Sequence, residues 1–161
     1  QIRELPFIPG GFGSSPFDNE GVVCQERDVV KDGVIQGYFL STYSAKKLGM
    51  TTTGNAGGNH NLIVTPGDLD LDGLLKKMDT GLFVTELLGH GANMVTGDYS
   101  RGAAGFWVEH GEIQYPVEEI TIASNLAEMF KGIVAIGNDV ERRGSKQVGS
   151  ILIENMMVAG N

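Results

Sequence analysis

Ala103-Ala104-Gly105-Phe106-Trp107-Val108-Glu109-His110-Gly111-Glu112-Ile113-Gln114-Tyr115-Pro116-Val117 describes two extended runs folded back across one tight link. Ala103–Glu109 and Glu112–Val117 carry the aromatic and β-branched residues that suit a pleated, half-buried surface. His110-Gly111 is a two-residue connection, and glycine supplies the positive φ that short hairpin turns require. The same grammar recurs upstream, where Val22–Lys31 and Val34–Leu40 flank Asp32-Gly33. Asp-Gly between apolar runs is a strong hairpin signal. Leu62–Thr65, Leu82–Leu88, Ile120–Ala123 and Val148–Val158 add further strand candidates.

Helical periodicity is confined to short stretches. Asp68–Thr80 is the clearest, because Leu71, Leu74, Leu75 and Met78 fall at i, i+3, i+4 and i+7 and form one apolar stripe. Asp68, Asp70 and Asp72 at its start and Lys76 and Lys77 near its end match the helix dipole. A second helix is predicted from Asn125, with Glu128 at capping-box spacing, a buried stripe of Leu126, Met129, Phe130, Ile133 and Val134, and Gly137 closing it. Ser41–Leu48 could form a shorter one, stopped by Gly49. The expected fold class is α+β: β-rich, mostly antiparallel sheets with two amphipathic helices packed on them. Residues 1–12, containing Pro6 and Pro9, are expected as an extended lead-in to a domain over residues 13–161. The opening Gln1 leads us to expect a piece of a longer polypeptide.

Of the 161 residues, 24 are glycine, roughly twice the usual ~7%. No Gly-X-Y period exists, and 41% hydrophobic with 20% charged residues is the composition of a chain that folds around a core. The glycines gather in Gly54–Gly58 and Gly89–Gly105. The net charge of −8, with no run of Lys or Arg, disfavours direct nucleic-acid binding. No apolar stretch approaches the ~20 residues of a membrane-spanning helix. The single Cys24 cannot form an internal disulfide and suits a reducing cytoplasm.

The usual catalytic signatures are missing. His60, His90 and His110 are not paired at helical spacing, and there is no H-E-x-x-H or C-x-x-C, so no metal site is predicted here. Ser100 lies in Asp98-Tyr99-Ser100-Arg101-Gly102, which lacks the first glycine of a nucleophile elbow. Cys24, in a strand-like run with no evident base, reads as a small core residue. Phosphate-binding glycine loops are absent as well. Phe17-Asp18-Asn19-Glu20-Gly21 fits either a cation site or a capped turn. Two loops stand out. Gly54-Asn55-Ala56-Gly57-Gly58-Asn59-His60-Asn61 places backbone amides beside amide and imidazole groups. Gly89-His90-Gly91 with Gly97-Asp98-Tyr99-Ser100-Arg101-Gly102 adds a carboxylate and a guanidinium. Such loops suit an extended peptide; they equally suit plain turns in which Asp98 and Arg101 pair with each other. The candidate contact residues are His60, His90, Tyr99, Ser100 and Arg101, with no catalytic residue among them.

Four stretches together carry a resemblance: Gly13-Ser14-Ser15-Pro16-Phe17-Asp18-Asn19-Glu20-Gly21, Thr53-Gly54-Asn55-Ala56-Gly57-Gly58, Gly97 through Val117, and Gly137-Asn138-Asp139. From about Gly13 to Gly160 the chain resembles the C-terminal portion of the PmbA/TldE side of the TldD/PmbA family, also known under the name modulator of DNA gyrase. The resemblance implies a cytoplasmic bacterial or archaeal subunit of a heterodimeric TldD/TldE metallopeptidase that degrades or trims unfolded peptides, matures peptide antibiotics and removes a labile antitoxin. It implies zinc in a TldD-like partner, held there by an H-E-x-x-x-H helix and a later cysteine. That cysteine would fall near Val148-Gly149-Ser150, where this chain has Val148, so no cofactor is expected in this segment. Expected partners are a TldD-like subunit, or self-association, and a peptide substrate. Two other readings remain: a non-enzymatic interaction or regulatory protein, in a toxin–antitoxin or gyrase context, that binds through its glycine loops, and an autonomous hydrolase with a metal of its own.

Overall fold

The computed structural model describes residues 1–160 and shows an α+β chain, β-rich with mostly antiparallel sheets. Its backbone divides into two compact units, Gln1–Pro66 with Val140–Gly149, and Gly67–Asp139 with the segment that starts at Ser150.

The first unit is built on a five-stranded sheet. In chain order its strands are β1 (Ile2–Glu4), β2 (Arg27–Lys31), β3 (Val34–Ile35), β4 (Leu62–Val64) and β9 (Lys146–Gln147), and in space they lie β3-β2-β1-β4-β9. All pairs are antiparallel except β4 with β9. The expected extended lead-in therefore contains the middle strand of this sheet. The Asp32-Gly33 hairpin forms with Lys31 opposite Val34 and φ of 50° and 77° at the turn. The strand expected from Val22 starts only at Arg27. Helix α1 (Thr42–Leu48) is held at its start by Ser41, whose Oγ accepts the Ser44 N–H at 3.2 Å, and ends on the left-handed Gly49. Pro6, Cys24, Leu40 and Ala45 are buried apolar side chains of this unit, but Glu4, Asp18, Asn55, His60 and Asn61 are buried with them. Much of what holds this unit together is consequently polar.

The second unit is more conventional. β5 (Gly81–Leu88), β6 (Asp98–Glu109), β7 (Glu112–Asn125) and β11 (Met157–Ala159) form an antiparallel sheet ordered β11-β7-β6-β5. The hairpin of the opening sequence is its spine, turning through His110 and Gly111 with φ of 55° and 75°. β7 runs unbroken from Glu112 to Asn125, past a register shift where Glu119 takes φ 56°. Ala103, Ile120 and Ile122 are buried at its centre, with Leu82, Val84, Tyr99, Val117 and Met156 packed around them. Helix α2 (Leu71–Met78) starts three residues later than the expected Asp68, because Asp70 is the cap and accepts the Gly73 N–H at 2.9 Å. Its Leu74 and Leu75 are buried as the periodicity requires.

The second predicted helix needs correction. α3 spans only Leu126–Lys131 and buries no residue, and Phe130 is 69% exposed. Ile133 and Val134 belong instead to β8 (Ile133–Ile136), which pairs with β10 (Ile151–Ile153). Gly132 is a poor helix residue, and the β-branched pair after it finds a strand partner. The loop expected over Gly89–Gly102 is also shorter, because β6 already begins at Asp98.

Candidate functional site

The tightest polar arrangement lies in the first unit. Glu4, on the middle strand, is 1% exposed, and its two oxygens accept four hydrogen bonds. Oε1 takes the Asn55 Nδ2–H at 2.7 Å, the His60 backbone N–H at 2.8 Å and the His60 ring Nδ1 at 3.0 Å. Oε2 takes Arg27 Nε–H at 2.8 Å. Arg27 is fixed further by Tyr38 O and Asn55 Oδ1, and lies over the Phe39 ring at 4.8 Å. Burial alone would raise the Glu4 carboxyl, but these donors, led by the His60 N–H and Arg27, hold it below its ordinary 4.5. Asp18 behaves alike. Burial pushes it up, and the N–H groups of Ala56, Val22 and Glu20 pull it lower still, below 3.8. Its bonds to Glu20 and Val22 within its own loop make Phe17–Gly21 a capped turn.

Cys24 joins this cluster. Its Sγ lies 3.1 Å from His60 Nε2, the ring nitrogen opposite the one that faces Glu4. Cys24 is therefore not without a base. The order thiol, imidazole, carboxylate is that of a nucleophile, its base and its orienting group. Burial, followed by the charges of Asp18 and Glu4, pushes the thiol above its ordinary 9.0. Cys24 is also only 2% exposed. A protonated thiol with no access to an acyl group makes this a structural network rather than a reactive one. Spacing could not have revealed it, because Glu4 and His60 are 56 residues apart. The single cue was a carboxylate inside an otherwise strand-like run.

The other four candidates belong to the second unit. His90 and Ser100 line an open hollow of about 320 Å³ with Gly91, Ala92, Asn93 and Asp98. Ser100 N–H donates to Gly91 O at 2.7 Å, and a Cβ at Gly91 would collide with the Ser100 carbonyl oxygen, so only glycine permits this approach. Asn93 Oδ1 accepts the N–H groups of Val95 and Thr96, which turns the chain and leaves Met94 and Val95 82% and 94% exposed at the tip. Tyr99 and Arg101 are strand residues, not loop residues. Strand alternation turns Tyr99 toward the core. Arg101 does not pair with Asp98; its Nη2 donates to Leu87 O at 3.1 Å and its Nε to Leu88 O at 3.4 Å, bracing the end of β5. Asp98 accepts the Thr96 hydroxyl at 2.7 Å. The structure thus gathers His90 and Ser100, gives Tyr99 and Arg101 packing and bracing contacts, and buries His60 in the other unit.

A zinc ion requires three or four N, S or O donors at about 2.0–2.3 Å. Among the described residues, no three His, Cys, Asp or Glu side chains lie close enough to hold one. Cys24 with His60 offers two donors, and Val148 has no donor side chain and forms a bridge with Glu141. The residues present do not fit the ion. No helix among the described residues is long and apolar enough to cross a membrane.

The family model described as PmbA/TldA metallopeptidase C-terminal domain matches residues 1–160. Metalloprotease PmbA of Escherichia coli O157:H7 is 54% identical over 159 residues, which cover 99% of this chain and 35% of that protein. Among solved structures, a protein from Thermotoga maritima described as a modulator of a DNA gyrase superposes with TM-score 0.89 at 41% identity, over 98% of this chain and 38% of its own. TldE from Thermococcus kodakarensis gives TM-score 0.81 over 99% of this chain and 39% of its own; at 23% identity it speaks to the fold alone. The chain spans little more than a third of the length of the curated relatives it matches.

Proposed function

The chain belongs to the PmbA/TldA metallopeptidase C-terminal domain family, and from that membership we propose that it serves a PmbA/TldE-like subunit of a TldD/TldE-type complex that degrades or trims unfolded peptides. In this reading the zinc and the reacting water reside in a TldD-like partner. This domain supplies walls and loops around the peptide. The observation that carries the reading is the combination of a family match through all described residues with a donor set that does not converge on a metal. His90 and Ser100, in the hollow beside Asp98, are the contacts for the peptide or the partner. Arg101 and Tyr99 position that hollow by bracing β5 and packing into the core. His60 contributes as part of the network that shapes the Gly54–Asn61 loop. The working compartment is the cytoplasm, and neither nucleic acid nor membrane is a direct ligand.

The test mixes the full-length subunit with its TldD-like partner and follows a set of unstructured peptides by mass spectrometry. Cleavage by the mixture, and by neither subunit alone, is the expected result. No cleavage under any combination, with a stable complex still formed, would instead favour a purely regulatory interaction protein, for which the exposed Met94–Val95 tip is the natural contact.

A further inference from the structure

The second unit contains a slot of about 690 Å³, and its lining has an unusual form. Every residue from 80 to 87 borders it. Side chains of a strand alternate between faces, so a consecutive run of lining residues means that the strand's backbone borders the slot as well as one of its faces. All but Thr80 belong to β5, which pairs with β6 on one side and has no second neighbour among the described residues. Residues 150–156 line the opposite wall in the same consecutive manner. They include β10, whose described pairing is with β8 alone. Leu71, Leu74, Leu75 and Met78 of α2 and the sheet residues Tyr99 and Ile122 complete an apolar surround.

An open strand edge beside an apolar cleft is an aggregation hazard that native proteins keep covered. The backbone N–H and C=O groups on that edge also require partners once the cleft is closed to water. One occupant meets both needs: an extended strand, which hydrogen-bonds to β5 and fills the cleft with alternate side chains. Its charge is constrained too. Among the described residues, Glu86 and Glu154 are the only charged ones lining the slot. Of the chain's basic residues, only Lys76, Lys77, Arg101 and Lys131 belong to this unit, which carries most of the acidic ones. An apolar strand flanked by Lys or Arg complements such a slot, and an acidic one does not. As for the source, the match to the bacterial relative covers 35% of that protein, leaving the greater part of the subunit outside it. We infer that a strand from the remainder of the same subunit, apolar with a basic flank, pairs with the free edge of β5 and occupies the slot. The inference rests on the second unit's geometry and is independent of what the complex hydrolyses.

Hydrogen exchange at single-residue resolution on the full-length subunit alone tests it. An edge strand with one neighbour protects alternate amides, whereas a strand with two neighbours protects nearly all of them. We expect slow exchange throughout Leu82–Leu87, with the slot-facing amides slowed by about a hundredfold or more relative to an open edge. A benzophenone amino acid at position 85 should then yield an intrasubunit cross-link to a segment outside residues 1–161. Alternating protection in the subunit alone would overturn the inference, whether or not a partner or a peptide later completes it. So would a cross-link formed only to a partner subunit or an added peptide.

Discussion

Replacing Glu4 with glutamine strikes the first unit at its most connected atom pair. The carboxylate now accepts three hydrogen bonds at Oε1 and one, from Arg27, at Oε2. Glutamine has a single acceptor oxygen. If that oxygen keeps the three donors, the amide NH₂ faces Arg27 Nε–H, donor against donor, and the guanidinium loses its counter-charge. Removing one partner of a buried ion pair costs about 3–5 kcal/mol. Arg27 keeps Tyr38 O and Asn55 Oδ1 and is 20% exposed, which places Glu4→Gln near the lower end, about 3 kcal/mol. Cys24 is a built-in reporter, being the sole cysteine, buried in the same unit and beside His60. Its reaction with a disulfide reagent under native conditions requires the unit to open. A loss of about 3 kcal/mol should speed that reaction by roughly two decades. Exchange of the Leu5 amide, bonded to Asn61 O at 2.8 Å, gives a second readout that is blind to thiol chemistry. The acid dependence has a fixed sign. Because the folded Glu4 carboxyl sits below 4.5, its stabilisation is complete above that value and is lost as pH falls through the folded one. The variant should lose that part of the acid limb and retain the part due to Asp18, whose carboxyl is lowered in the same direction. Labelling and exchange that stay within about threefold of wild type would refute the claim that this network holds the unit together.

Glu119→Gly should stabilise the second unit by about 0.5–1 kcal/mol, because φ 56° strains a side-chain-bearing residue; urea unfolding followed by the single Trp107 measures it. Gly105→Ala should cost at least about 1–3 kcal/mol in the same assay, since its Cβ would overlap the Phe83 carbonyl oxygen across the β5–β6 ladder. Arg143→Ala should let the Glu141 carboxyl rise from about 2 part of the way toward 4.5, because it removes the guanidinium that is its largest support and keeps the backbone N–H; a carboxylate NMR titration reads this directly. His90→Ala and Ser100→Ala should weaken peptide or partner binding while leaving the unfolding free energy followed by Trp107 within about 0.5 kcal/mol, as expected of exposed side chains.

Local signals in the sequence gave the elements that local physics controls. The two hairpins follow from Asp32-Gly33 and His110-Gly111, and α2 from the spacing of Leu71, Leu74, Leu75 and Met78, because turn chemistry and periodicity act within a few residues. Errors came where a distant partner decided the outcome. Ile133 and Val134 fit a helix by spacing, yet β10, some twenty residues later, claims them for a strand. Tyr99, Ser100 and Arg101 lie among glycines and polar residues, but β7 extends the ladder to include them, opposite Ser124, Ala123 and Ile122. The candidate site shows the same limit. His90 and Ser100 could be grouped because they stand close in sequence, whereas Glu4, Cys24 and His60 meet only through the sheet and the loop that folds over it. The slot beside β5 was invisible for the same reason, as its walls are two strand edges far apart along the chain.

Metal content is the sharpest discriminator for the proposed division of labour. The full-length subunit and its TldD-like partner would be purified separately and together, and zinc measured per chain. The account predicts zinc bound to the partner, retained in the complex, and only sub-stoichiometric zinc on the subunit that contains this chain. Stoichiometric zinc on that subunit alone, accompanied by peptide cleavage without the partner, would contradict it.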